Sequence, residues 1–403
     1  MVLMILSNDE RYAMVSKKLL KQQFISLTIN ALGGFASSIF LGMYRFFIRE
    51  NPWILAINPP LKDLNGNIYS SLLSRLNSGL YLGSIKPRLR DKVVISNILV
   101  VLSTLVMTST IILFITWFLI GGDLLLIFEV ALPAMIFVSI ILYPFTSYSS
   151  IYLYRHGFEP ESLMLPVIFL LADIITTPTL IGYSLLVLFN SIIRHIVFVI
   201  ILLVTVFLAY ISYMYKLRET FRTIGESQLV LIFCLFLDVG AGAFLARNID
   251  LLVSYPFIIL TVSVFNGLMG SLTSIYAIRQ NVLYHIGLTS LKPDKKKLSY
   301  LPYMYVLSIY TSFLILMIGY ALAYIITGGS VLSIGIAILI SLVSSIVITP
   351  ILWLLIQIFA YLSFKIGFDP DNVMSPILTS MIDIIGTIIY ILTANLIISI
   401  LMA

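Results

Sequence analysis

Charged side chains are scarce in this sequence. Asp, Glu, Lys and Arg make up 10% of its 403 residues, against about 25% in a typical soluble chain. So few charges cannot dress a water-facing surface, which excludes an ordinary soluble domain. Cysteine is almost missing: Cys234 is the only one, so no internal disulfide can form and the redox compartment stays unread. Histidine is nearly as rare, with three residues, and neither thiolate nor multi-histidine metal spacing occurs. The apolar start, residues 1–7, is too short for a signal peptide and no small-residue cleavage site follows it.

What is present is apolar sequence, 60% of the chain, arranged in runs. About 20 apolar residues span a bilayer. The runs predict eleven spans, at 24–43, 58–82, 93–120, 124–154, 162–190, 193–215, 228–246, 262–286, 301–326, 331–364 and 372–402. The 24 basic residues are unevenly shared. Counting loops alternately from the N-terminus, 17 fall on the N-terminal side, 4 on the other, and 3 (Lys62, Arg75, Arg279) in or beside spans. By the positive-inside rule this predicts a multi-pass cell-membrane protein with a cytoplasmic N-terminus and an extracytoplasmic C-terminus. The net charge of +6 therefore speaks for membrane topology and not for nucleic acid, which needs one clustered basic face.

The chain also repeats itself. Pro52, Gly66, Arg75 and Gly83 recur as Pro256, Gly270, Arg279 and Gly287, all at an offset of 204. Gly157-Phe158-Glu159-Pro160-Glu161, Pro166 and Asp173 recur as Gly367-Phe368-Asp369-Pro370-Asp371, Pro376 and Asp383, at an offset of 210. A six-residue insertion accounts for the change. This predicts an all-α membrane fold: an N-terminal segment 1–23, a five-helix repeat 24–191, a connecting transmembrane helix 192–216, and a second repeat 217–403. Five spans are an odd number, so the connecting helix restores the orientation and the repeats are parallel, with a pseudo-twofold axis along the membrane normal.

Acids at bilayer depth are costly and usually face a cavity or a partner. Asp173 and Asp383 stand about ten residues into their helices, roughly 15 Å deep, close to the midplane. They are either acids buried for packing or a pair of carboxylates forming a cation site. The second reading suits a hard divalent cation, since magnesium takes oxygen ligands and keeps several waters. The second spans are too polar to face lipid, which makes Gly66, Asn67, Gly270 and Ser271 pathway-lining candidates, with Thr379 on the last helix. For the glycines the alternative is close helix packing. Asp63 is a weaker candidate at the outer mouth, offset by neighbouring Lys62. Asp369 and Asp371 cap a helix start or serve ion exit. Glu129 and Asp238 are weaker still.

These motifs resemble the MgtE family of magnesium channels and transporters, in its two-repeat branch that includes solute carrier family 41. The similarity lies in Pro60-Leu61-Lys62-Asp63-Leu64-Asn65-Gly66-Asn67, Ser74-Arg75-Leu76, Val94-Ile95-Ser96-Asn97, Asp369-Pro370-Asp371-Asn372 and Asp383-Ile384-Ile385-Gly386. Ser271 departs from it where asparagine is expected, as do Glu161-Ser162 for Asp-Asn and Ala172 and Ile382 for glycine. The resemblance implies a five-helix unit paired about a central pore, here a single-chain pseudo-dimer. It implies Mg2+ as transported substrate, with an ion site at the fifth-helix acids, Asp173 and Asp383. The family's soluble magnesium-sensing domain is not expected before residue 24. Two rivals use the same residues. An intramembrane aspartyl protease also needs two membrane aspartates, but resembles Gly-x-Gly-Asp, which neither Leu170-Leu171-Ala172-Asp173 nor Ser380-Met381-Ile382-Asp383 matches. A cation-coupled small-solute carrier calls for interrupted helices around a larger pocket.

Overall fold

The computed structural model describes residues 17–157, 160–188, 190–214, 218–285, 298, 300–329, 332–366 and 370–401. Among them it contains helices and no strand. In chain order these are α1 (Lys17–Met43), α2 (Arg45–Glu50), α3 (Pro52–Tyr81), α4 (Lys92–Ile120), α5 (Leu124–Arg155), α6 (Pro160–Leu188), α7 (Ser191–Met214), α8 (Arg218–Arg247), α9 (Ile249–Ser254), α10 (Pro256–His285), α11 (Leu301–Thr327), α12 (Ile334–Ile366) and α13 (Pro370–Leu401). The eleven long helices coincide with the eleven expected spans. Nine are long and apolar enough to cross a membrane over their described residues. The other two, α3 and α8, are 30 residues long; α3 carries more polar groups and hides most of its length inside the protein.

Sequence sets the helix ends. Proline is pre-organised for the first helical position, where its missing N–H costs nothing. Pro52, Pro160, Pro256 and Pro370 each open a helix. Asp91 and Asp123 cap α4 and α5, accepting from the Val93 and Leu125 backbone N–H groups at 2.9 Å; these satisfy donors the helix leaves open. Gly328 ends α11 at φ +65°, a left-handed conformation that side chains disfavour.

The chain forms two compact units, one of residues 1–42 with 251–403 and one of residues 43–250. They divide the chain differently from the sequence repeats. The 43–250 unit holds α3 to α6 of the first repeat, the connecting helix α7, and α8, the first helix of the second repeat. The other unit holds α10 to α13 with α1, the first helix of the first repeat. Each unit therefore contains a first helix from the other repeat.

Within each unit a first helix lies on a second helix. α8 lies on α3 and α1 lies on α10. Gly242 of α8 sits so close to Ala56 of α3 that an added Cβ would overlap the Ala56 carbonyl. Pro60 has no N–H to offer that carbonyl, and Gly242 lies against it. In the other unit Gly42 of α1 faces Leu260 of α10, the repeat counterpart of Ala56. The connecting helix α7 packs on α4 and α5 and otherwise exposes an apolar surface, including Ile196, Val199, Leu203 and Phe207, as a lipid-facing helix does.

Candidate functional site

The fifth helix of each repeat runs antiparallel to the second, in one shared register. On α3 and α6, Asn58 accepts from the Thr177 hydroxyl at 2.9 Å. One turn on, the Lys62 ammonium stands 3.3 Å from an Asp173 carboxylate oxygen. One turn further, Gly66 makes room for the Phe169 ring, which a Cβ would meet at 2.7 Å. On α10 and α13 the matching positions are Val262, Asn266 and Gly270 against Thr387, Asp383 and Thr379. Asn266 donates to the Asp383 backbone carbonyl at 3.1 Å and to the Thr387 hydroxyl at 2.7 Å. A Cβ on Gly270 would sit 3.7 Å from the Thr379 methyl. The offsets of 204 and 210 in sequence thus reappear as one helix pairing made twice.

That register puts both aspartates mid-helix. Asp173 and Asp383 are each the fourteenth residue of α6 and α13 as those helices begin at Pro160 and Pro370. Both are partly exposed, with 34% of the Asp173 side chain accessible. The two environments differ. Lys62, 9% accessible, neutralises Asp173 in its unit, while an uncharged amide, Asn266, holds the same place beside Asp383. Gly386 leaves space for that amide, since a Cβ there would meet the Asn266 oxygen at 2.5 Å.

In the 43–250 unit two further acids come together. Carboxylate oxygens of Asp63 on α3 and Asp238 on α8 lie within 4.8 Å of one another. The Gly242–Ala56 crossing positions them: Asp238 is one turn before Gly242 and Asp63 two turns after Ala56. The repeat counterparts of Asp63 and Asp238 are Gly267 and Gly34, so this pair belongs to one unit only.

The remaining expected residues sort as follows. Ser271 accepts from the Asn30 side-chain amide of α1. Asn67 is half-buried on α3, and its backbone carbonyl accepts from Ser70 at 3.1 Å. Gly66 and Gly270 serve the helix contacts described above. Asp369 and the Asp371 side chain lie outside the described residues, as does the Arg279 side chain. Arg75 donates to Asn97 at 3.1 Å and to Ser71 at 2.7 Å, tying α3 to the start of α4. Polar partners at membrane depth are what such a group needs.

One cluster went unread in sequence. Glu129 of α5, 4% accessible, meets Arg194 at 2.7 Å and His195 at 2.5 Å on α7. It fastens an otherwise lipid-exposed connecting helix. Breaking one partner of a buried ion pair costs about 3–5 kcal/mol in soluble proteins; Arg194 keeps 14% accessibility, which points to the lower end. Glu129→Gln is expected to lower the thermal unfolding temperature in detergent markedly. An unchanged temperature would show that the cluster does not hold α7.

A family model described as MgtE, divalent cation transporter, matches residues 58–183 and 262–393. The chain belongs to the MgtE family. Searches of curated proteins and of solved structures each gave no match. The two matched segments take in α3 to α6 and α10 to α13, the helices that carry the repeated register. The MgtE family is a family of divalent cation transporters.

Proposed function

We propose that this MgtE chain carries magnesium across the membrane as a single-chain pseudo-dimer, and that Asp173 and Asp383 serve one ion. The observation that supports it most is the equivalence of the two aspartates: same helix of each repeat, same position along it, same register on the neighbouring helix. Carboxylates with amide and hydroxyl neighbours suit a hard, largely hydrated cation, and the absence of cysteine or histidine among their described neighbours disfavours softer metals. The basic bias of the loops puts the N-terminus in the cytoplasm and the C-terminus outside.

In this reading Lys62 is a tethered cation. Its ammonium holds the place at Asp173 that an arriving ion must take, and the matching position beside Asp383 is the amide Asn266. Opposite charges about 4 Å apart interact by about 4 kcal/mol at an effective dielectric of 20, and hydration of the released ammonium offsets much of that. Lys62→Asn, which copies the other repeat, is expected to tighten magnesium binding by about tenfold, equivalent to about 1.4 kcal/mol. Titration calorimetry of purified protein with magnesium measures it. Unchanged or weaker binding would remove Lys62 as a competitor. Failure of magnesium to bind either form would count against the magnesium reading itself.

A further inference from the structure

The geometry points to an anionic phospholipid site at the basic end of α5, separate from the aspartates. A cavity of about 500 Å³ opens there, with Arg88, Arg90, Arg155, His156, Tyr148 and Tyr152 on its wall. Among the described lining residues there is no carboxylate, and three carry guanidinium groups on a wall that is otherwise largely apolar. Guanidinium forks match phosphate oxygens.

The cavity is built, not incidental. Gly157, at φ +74°, ends α5 just beyond Arg155 and His156. Arg155 donates to the Pro87 carbonyl, which fastens the end of α5 to the 82–91 loop. Asp91 fixes that loop from its other side, accepting from the Lys86 N–H at 3.2 Å and the Val93 N–H at 2.9 Å. Arg88 and Arg90 are thus carried on a pinned segment.

The depth and the approach specify a lipid over a free phosphate. α5 has 32 residues, about 48 Å at 1.5 Å each, while the hydrocarbon core takes about 20 residues. Its last turns therefore reach the headgroup layer. One exposed face leads there. Phe137, Ile141 and Pro144 come first, then Tyr148 and Tyr152, and then His156. Tyr148 stacks on Tyr152 at 5.9 Å, and Tyr152 lies 4.2 Å from His156. An apolar track for an acyl chain, an interfacial tyrosine pair and a basic cavity follow one another along one helix. Basic pockets on the cytoplasmic side of membrane helices suit anionic headgroups, and the loop bias places this end in the cytoplasm.

The test is native mass spectrometry of the full chain in detergent doped with phosphatidylglycerol or phosphatidylcholine. The expected result is retention of phosphatidylglycerol over phosphatidylcholine. Arg88→Gln and Arg90→Gln, both exposed loop residues, should each weaken retention about fivefold, the factor for about one unit of basic charge near an anionic surface. Lys365→Gln, on the other unit, should not. Arg155→Lys should keep most retention, since it keeps the charge, and equal thermal unfolding of all variants in phosphatidylcholine shows that they are folded. Equal retention of the two lipids, or no loss in the Arg88→Gln/Arg90→Gln double variant, would overturn the site. Full displacement of the lipid by glycerol phosphate would show a site for free phosphate, and that also overturns it.

Discussion

Asp383→Asn alone is expected to abolish most magnesium flux, and Asp173→Asn alone to do the same. At the proposed site two carboxylates from equivalent helices serve one ion. Removing either leaves a divalent charge half compensated, and a charge at bilayer depth is costly without its partner. The double variant should then be little worse than either single one, because residues acting on one ligand are non-additive. Independent pathways give a different pattern: each single variant keeps about half the flux, and only the double is inactive. The two singles need not be identical. Asp173→Asn also breaks the 3.3 Å contact with Lys62, so it should carry a loss of stability besides the loss of flux. Flux normalised to folded protein separates the two effects.

Gly242→Leu is expected to prevent accumulation of folded protein. An added Cβ would stand 2.8 Å from the Ala56 carbonyl carbon and nearer still to its oxygen. The obstacle is helix backbone, not the end of a flexible side chain, so α3 and α8 must separate. Overpacking of this kind typically costs about 1–3 kcal/mol, and a leucine adds three further carbons to the clash. The same crossing sets Asp238 beside Asp63, so even the milder Gly242→Ala should disturb the acid pair. Gly182 is the control. Nothing lies within 4 Å of a Cβ there, and Gly182→Ala should leave yield and unfolding temperature unchanged. Equal yields for the two alanine variants would contradict the crossing.

Periodicity and spacing carried much of this in the sequence. Long apolar runs named the eleven helices, because a bilayer demands that length. The paired Gly, Pro and Asp positions carried the repeat, and the α3–α6 and α10–α13 pairings give it a physical form: Gly66 makes room for Phe169, and Gly270 faces Thr379 at the matching place. Other features depended on which helix lies against which. Lys62 was legible as a base in a span, and such a residue calls for an acid. Its partner, Asp173, is 111 residues away, and only the inter-helix register selects it over adjacent Asp63. The exchange of α1 and α8 between units left no trace, since a repeat offset is silent on which copy of a helix packs where. Asp238 looked weak because its counterpart is Gly34, yet Asp63 also faces a glycine counterpart, and the two lone acids meet. Arg194 pairs with Glu129 only because α7 lies along α5.

The most direct test of the central claim is magnesium uptake into liposomes that contain only this protein, followed with a magnesium-sensitive dye inside. The account predicts uptake well above that of protein-free liposomes, saturating with magnesium and lost in Asp383→Asn. Uptake equal to protein-free liposomes, or uptake that persists when both Asp173 and Asp383 are asparagine, would contradict it.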